Sequence, residues 1–194
     1  MDANHLNKTR FLSICEKAIH RDGTAELLDW LENKSDFFSA PASSRFHLAY
    51  CGGLVKHSLN VYDQLVLLKE AYRQFIADES EFSDESIAVV ALMHDLCKVN
   101  MYKPDTRNVK VNGVWTTEPV YTIDEKFAYG GHGSKSVFLV ERFIKLKPHE
   151  AVAINCHMGS WDGDKNVGNA YGKNMLAWLL HVADEAATFV VEKE

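Results

Sequence analysis

The stretch Ile87-Ala88-Val89-Val90-Ala91-Leu92-Met93-His94-Asp95-Leu96-Cys97-Lys98 decides the fold. Its first seven residues are apolar, and an imidazole and a carboxylate follow at once. A segment apolar on nearly every side reads as a helix at the centre of a bundle, and this one is far too short to cross a bilayer. Ser83 is placed to cap it, with Asp84 and Glu85 suited to the positive end of the helix dipole. The predicted helix runs from Ile87 to Leu96. His94 and Asp95 then fall at its buried end, where two polar groups are costly unless they find partners. One account is a pair that simply hydrogen-bond each other there; the rest of the chain argues for more.

Outward from this segment, most of the sequence keeps a helical period. Phe11, Leu12, Cys15, Ala18 and Ile19 form an apolar stripe that ends at Asp22-Gly23. A short helix is predicted over Ala25 to Leu31, then a loop from Ser35 to Ser44 around Pro41. After Gly52-Gly53 a long helix runs from Leu54 to about Phe75. Between Asn100 and Thr122, Val109, Val111, Val114, Trp115, Val120 and Tyr121 are strand formers around an Asn112-Gly113 turn, so a β-hairpin is expected. Helices resume over Ser134 to Lys145 and Pro148 to His157, with Pro148 at a helix start. A glycine-rich loop from Gly159 to Gly172 leads into a last helix from Lys173 to about Val191. The predicted fold class is all-α, a helical bundle with a small inserted β-hairpin, in one domain over 1–194 whose helices in 1–45 pack on a core at 46–192.

The 194 residues are 46% hydrophobic and 25% charged, the balance of an ordinary globular chain. A net charge of −6 argues against coating nucleic acid by bulk electrostatics. Cys15, Cys51, Cys97 and Cys156 contain no C-x-x-C pair, so they read as small semi-buried hydrophobes and not as a zinc knuckle. The N-terminus carries no basic-then-apolar signal pattern, and a cytoplasmic location without a membrane is expected.

Histidine is another matter. His57 lies in Gly52-Gly53-Leu54-Val55-Lys56-His57-Ser58-Leu59, His132 in Gly130-Gly131-His132-Gly133, and His157 ends a predicted helix. Asp184 sits between Ala183 and the Ala186-Ala187 pair, where a carboxylate needs a cation nearby or takes up a proton. Imidazoles and carboxylates facing one another from separate helices make a bundle-core metal site.

The order His57, then His94-Asp95, then Asp184 resembles the H…HD…D signature of the HD-domain metal-dependent phosphohydrolases. The likeness runs from about Tyr50 to Ala187, through Gly-Gly-Leu-x-x-His-Ser-Leu, Ala-Leu-x-His-Asp-Leu-x-Lys and Leu-x-x-x-Ala-Asp. Phe46-His47-x-x-Tyr50 through Gly-Gly is also similar to the HD module of certain bacterial 3′→5′ exoribonucleases. One departure is Cys97, which stands where that family usually has glycine before the lysine.

The resemblance implies an enzyme that hydrolyses a phosphoester of a nucleotide or short oligonucleotide with a metal-activated water. Its rivals are a diesterase or exonuclease on RNA or DNA ends and a metal-bound nucleotide sensor without turnover. It implies His57, His94, Asp95 and Asp184 as ligands of one divalent ion, with His132 and His157 on a second that Asp95 bridges. On a one-metal site these two histidines would instead bind phosphate or move protons. The ion is drawn from Mn, Fe, Zn, Co, Ni or Mg. If the helix continues past His94, Lys98 shares its face and reaches a substrate phosphate. Asp95 and Lys98 are therefore the expected catalytic residues, and Lys98, His47 and Trp161 the expected substrate contacts. Trp161 and Tyr171 are candidates for stacking on a base, and Asp162 and Asp164 for a lid. His181 reads as support or core, and His5, His20 and His149 as surface. The expected partner is a phosphate-containing small molecule or a short nucleic acid; self-association into a homo-oligomer is left open.

Overall fold

The computed structural model describes residues 2–162 and 167–193. Among them are eight α-helices and one hairpin, in the order α1 (Ala3–Ala18), α2 (Thr24–Asn33), α3 (Gly53–Tyr72), α4 (Asp84–Met93), β1 (Tyr102–Val111), β2 (Val114–Ile123), α5 (His132–Glu141), α6 (Pro148–Cys156), α7 (Val167–Lys173) and α8 (Met175–Ala186). No described helix is long and apolar enough to cross a membrane.

α4 is the axis. Ser83 Oγ accepts the Ser86 N–H and caps it, and every residue from Ser86 to Met93 is buried. α3 packs on α4 and α8, α1 lies across α3 and α4, and α6 bridges α5 and α8. Two close approaches set this arrangement. A Cβ on Gly53 would meet the Leu48 carbonyl oxygen at 2.0 Å, so the start of α3 lies against the strap that carries His47. A Cβ on Gly133 would meet the Asn155 carbonyl oxygen at 2.1 Å, so α5 touches α6 just after His132.

The hairpin forms as expected, with Asn112 and Gly113 both at positive φ and Val111 paired to Val114. It is anchored at its base, where Tyr121 N–H donates to Ser44 O and Asp124 N–H to Met101 O.

Three boundaries differ from the sequence reading. α4 stops at Met93, not Leu96, because Cys97 N–H leaves the helical ladder to donate to Ser136 Oγ, and a 3₁₀ turn follows over Leu96–Lys98. α5 begins at His132, earlier than Ser134. The expected loop from Gly159 to Gly172 is a 3₁₀ turn over Gly159–Asp162 and then α7. Asn174 Oδ1 accepts the Ala177 N–H and starts α8 afresh. Asp164 and the Asp162 side chain of the expected lid lie outside the described residues.

Candidate metal centre

Four side chains from three chain segments converge where α3, α4 and α8 meet. His57 comes from the second turn of α3, His94 and Asp95 from the turn after α4, and Asp184 from α8. His57 Nε2 lies 3.1 Å from Asp184 Oδ1, 3.3 Å from His94 Nε2 and 3.6 Å from Asp95 Oδ2. His94 Nε2 is 3.5 Å from Asp95 Oδ2 and 3.9 Å from Asp184 Oδ1. Ligand atoms about 2.0–2.3 Å from one tetrahedral ion stand about 3.3–3.8 Å apart. His57, His94 and Asp184 are therefore grouped closely enough to hold one, with Asp95 beside both histidines.

The hydrogen bonds around them fix which nitrogen faces inward. His94 Nδ1 donates to Ala91 O at 2.8 Å, His157 Nδ1 to Ile154 O at 2.7 Å, and His57 Nδ1 to Glu192 Oε1 at 3.0 Å. Each Nδ1 proton is thereby committed outward, the arrangement that orients a metal-binding imidazole. Each Nε2 is aimed at Asp95 or Asp184. His157 Nε2 is fully buried, 3.5 Å from Asp95 Oδ1, and has no hydrogen-bond partner among the described residues.

Charge makes the same demand. Asp95, Asp184 and Glu192 bring three carboxylates to one buried place, against the single ammonium of Lys98, 2.7 Å from Asp95 Oδ2. One divalent cation neutralises the remainder. With protons as the only cations, burial works against an imidazolium at His57, but hydrogen bonds to Asp184 and Glu192 outweigh it and push its pKa up to about 10. Burial likewise opposes charge on Asp95 and Asp184, yet Lys98 and His94 hold the first well below the usual carboxylate range, and His57 and His94 hold the second there too.

A divalent ion must displace the His57 proton, so binding is proton-coupled. The proton is held at every pH below about 10. Affinity is therefore expected to rise with pH between 7 and 10, about tenfold per unit, with about one proton released per ion. Calorimetry in buffers of different ionisation enthalpy measures this; binding with no proton released would contradict it.

A second group adjoins the first through the other oxygen of Asp95. His132, the first residue of α5, has Nδ1 3.4 Å from Cys97 Sγ, and that sulfur is 3.7 Å from Asp95 Oδ1. The ligand atoms of Asp95, Cys97 and His132 all lie within 4.8 Å of one another. Burial and the Asp95 charge push the Cys97 thiol well above its usual range.

Lys98 reaches the site from the 3₁₀ turn and not from the His94 helix face, because α4 ends before it. His47 packs its ring 5.1 Å from that of His57. Burial and the His57 charge lower its pKa to about 4, so its imidazole is neutral at neutral pH. Trp161 is 77% exposed and lines none of the cavities near the cluster. Tyr171 is not a free stacking platform: its ring stacks on His181 and its hydroxyl donates to Cys156 O. His181 Nδ1 donates to His157 O at 2.7 Å and so supports the end of α6.

Sequence reasoning missed Glu192. After α8 the chain makes a wider π turn over Ala187–Val191, with Glu192 N–H donating to Ala187 O. This carries the carboxylate inward, where His57 Nδ1 and Asn60 Nδ2 both donate to it.

Three cavities adjoin this region, one of them, about 310 Å³, lined by His47 and Glu192 among others. Another of about 100 Å³ is lined by Cys97, Met101, Glu125, Gly130, Gly131, His132 and Lys135. A larger one of about 560 Å³ shares Glu125 and Lys135 and adds Trp30, Tyr102, Phe127, Lys126 and Arg142 among its walls.

No curated protein and no solved structure matches the chain. The family model described as HD domain matches residues 54–188, more than half of its length. That span runs from just before His57 to just after Asp184 and holds every residue of the H…HD…D order. HD domains bind divalent metals, and the clustered histidines and aspartates can hold one here. The chain belongs to the HD domain family, whose members are typically metal-dependent hydrolases.

Proposed function

We propose that this protein hydrolyses a phosphoester of a nucleotide or short oligonucleotide at a centre of two divalent ions. The observation that carries this reading is the set of inward Nε2 atoms of His57, His94 and His157 around the two oxygens of Asp95. His57, His94, Asp95 and Asp184 would hold one ion, and His132 and His157, with Asp95 shared, the other. When bound, such ions lower the pKa of a water and neutralise phosphoryl oxygens.

The chain's own residues do the rest. Asp184 and Asp95 balance charge, and Glu192 fixes the His57 ring through its Nδ1 proton. Lys98 rests on Asp95 Oδ2 and can turn its ammonium to a phosphate oxygen once that carboxylate is otherwise engaged. The larger cavity supports a nucleotide as substrate. Trp30, Tyr102 and Phe127 supply ring faces, Lys126 and Arg142 cations, and Asp36 and Asp124 acceptors for amino or hydroxyl groups.

A screen of metal-supplemented protein against nucleoside monophosphates, cyclic dinucleotides, short RNA and a generic phosphodiester tests the reading, with products identified by mass spectrometry. Release of phosphate or of a nucleotide supports it. Stepwise shortening of RNA from one end would favour the exonuclease alternative. Tight nucleotide binding with no turnover on any substrate would replace it with a sensor.

Lys98→Met is expected to leave metal content unchanged and to lower kcat/KM about 10²–10³-fold, the usual cost of one well-placed charge donor. Unchanged kcat/KM would confine Lys98 to neutralising Asp95.

A further inference from the structure

The geometry points to Cys97 as a thiolate ligand of the second cation, giving that position a mixed Asp95, His132, His157 and Cys97 donor set that favours zinc-like ions over magnesium. This rests on the metal-centre reading above and goes beyond it, because neither the imidazoles nor the carboxylates require a sulfur.

Three observations carry it. First, the distances fit. Cys97 Sγ is 3.4 Å from His132 Nδ1 and 3.7 Å from Asp95 Oδ1. Both values fall within the edges of about 3.3–3.8 Å expected for ligands around one tetrahedral ion. Second, the fully buried and unpartnered His157 Nε2 stands 3.5 Å from the same oxygen, Asp95 Oδ1, so the site has an unsatisfied nitrogen aimed at it. Third, charge needs the sulfur. Asp184 and Glu192 lie on the His57 side, and Asp95 is shared. A second divalent ion with only neutral imidazoles would have no anion of its own, and loss of the Cys97 thiol proton on binding supplies one.

Asp95, His132, His157 and Cys97 are four protein donors, and a substrate oxygen would enter as a fifth ligand, an expansion that zinc allows. The cavity of about 100 Å³ that Cys97 and His132 line gives that ligand room. Placement of the sulfur follows from the fold. The 3₁₀ turn after α4 is held by the Cys97 N–H to Ser136 Oγ bond, and this faces the Cys97 side chain toward the start of α5.

The test loads the full-length protein with cobalt(II) and, separately, with zinc. Cobalt-loaded wild type is expected to show a near-ultraviolet thiolate-to-cobalt charge-transfer band beside the visible ligand-field bands. X-ray absorption of the zinc form is expected to show sulfur at about 2.3 Å beside nitrogen and oxygen at about 2.0–2.2 Å. Cys97→Ser should lose the charge-transfer band and weaken zinc at one position about tenfold or more, while the ligand-field bands of the other position persist. Those persisting bands also show that the variant is folded. Cobalt bound with neither a charge-transfer band nor a sulfur scatterer would overturn the role of Cys97 and leave the histidine–aspartate centre standing. A sulfur signal that survives in Cys97→Ser would overturn it as well. No cobalt or zinc bound at all would instead overturn the metal-centre reading.

Discussion

Asp95→Ala is expected to lower turnover by at least three orders of magnitude, roughly 4 kcal/mol of transition-state stabilisation. Asp95 is the residue shared by both halves of the centre. Its Oδ2 faces His57, His94 and Lys98, and its Oδ1 faces His157 and Cys97. Removing it should strip both ions. It also leaves the Lys98 ammonium, itself 9% exposed, without the carboxylate 2.7 Å away. Breaking a buried pair from one side costs about 3–5 kcal/mol. The variant should therefore melt lower than wild type even when both are stripped with chelator, and the gap should widen with metal present, since only wild type gains from binding. Calorimetry of chelated and loaded samples, with turnover on the substrate found by the screen, checks both parts. Turnover within tenfold of wild type would contradict the role given to Asp95.

The largest effect on stability away from the centre is expected at Arg21. Its guanidinium grips Glu150 with Nη1 to Oε2 at 2.7 Å and Nη2 to Oε1 at 2.6 Å. Glu150 is wholly buried on the first turn of α6, the helix that ends at His157, and also accepts from Ser86 Oγ and Lys147 N–H. Arg21→Met strands that carboxylate, at a cost of about 3–5 kcal/mol at neutral pH. Burial works against the Glu150 charge, but Arg21 and the other donors outweigh it and hold its pKa below the ordinary 4.5. The pair therefore contributes fully above pH 4.5, and its contribution fades as pH falls through the depressed value. Urea denaturation at pH 7 and pH 4 should show the deficit of the variant shrinking at the lower pH. Adding Glu150→Leu should recover most of it, because no buried charge is then left alone. A deficit below about 1 kcal/mol at pH 7 would contradict the account.

The signals that proved legible were local ones. Ser83 announced the cap of α4, Asn112-Gly113 the hairpin turn and Pro148 the start of α6. The H…HD…D order was legible because its residues, on α3, the turn after α4 and α8, are brought together.

Other features depend on tertiary partners that no local pattern encodes. α4 ends where it does because Ser136, far along the chain, takes the Cys97 N–H. Glu192 enters the centre only through a π turn, and a stretch reading Ala-Thr-Phe-Val-Val gives no hint of one. The segment from Gly159 to Gly172 reads as a loop by its glycines, yet Val167 is buried and α7 packs on α8. Trp161, expected as a substrate contact, is exposed in the 3₁₀ turn after α6.

The central claim is that these side chains hold divalent metal. Elemental analysis of the protein as purified, and again after soaking in manganese, cobalt or zinc and removal of excess, tests it most directly. The account predicts about two ions per chain in the soaked protein, lost in Asp95→Ala. No bound metal in either wild-type sample would contradict it.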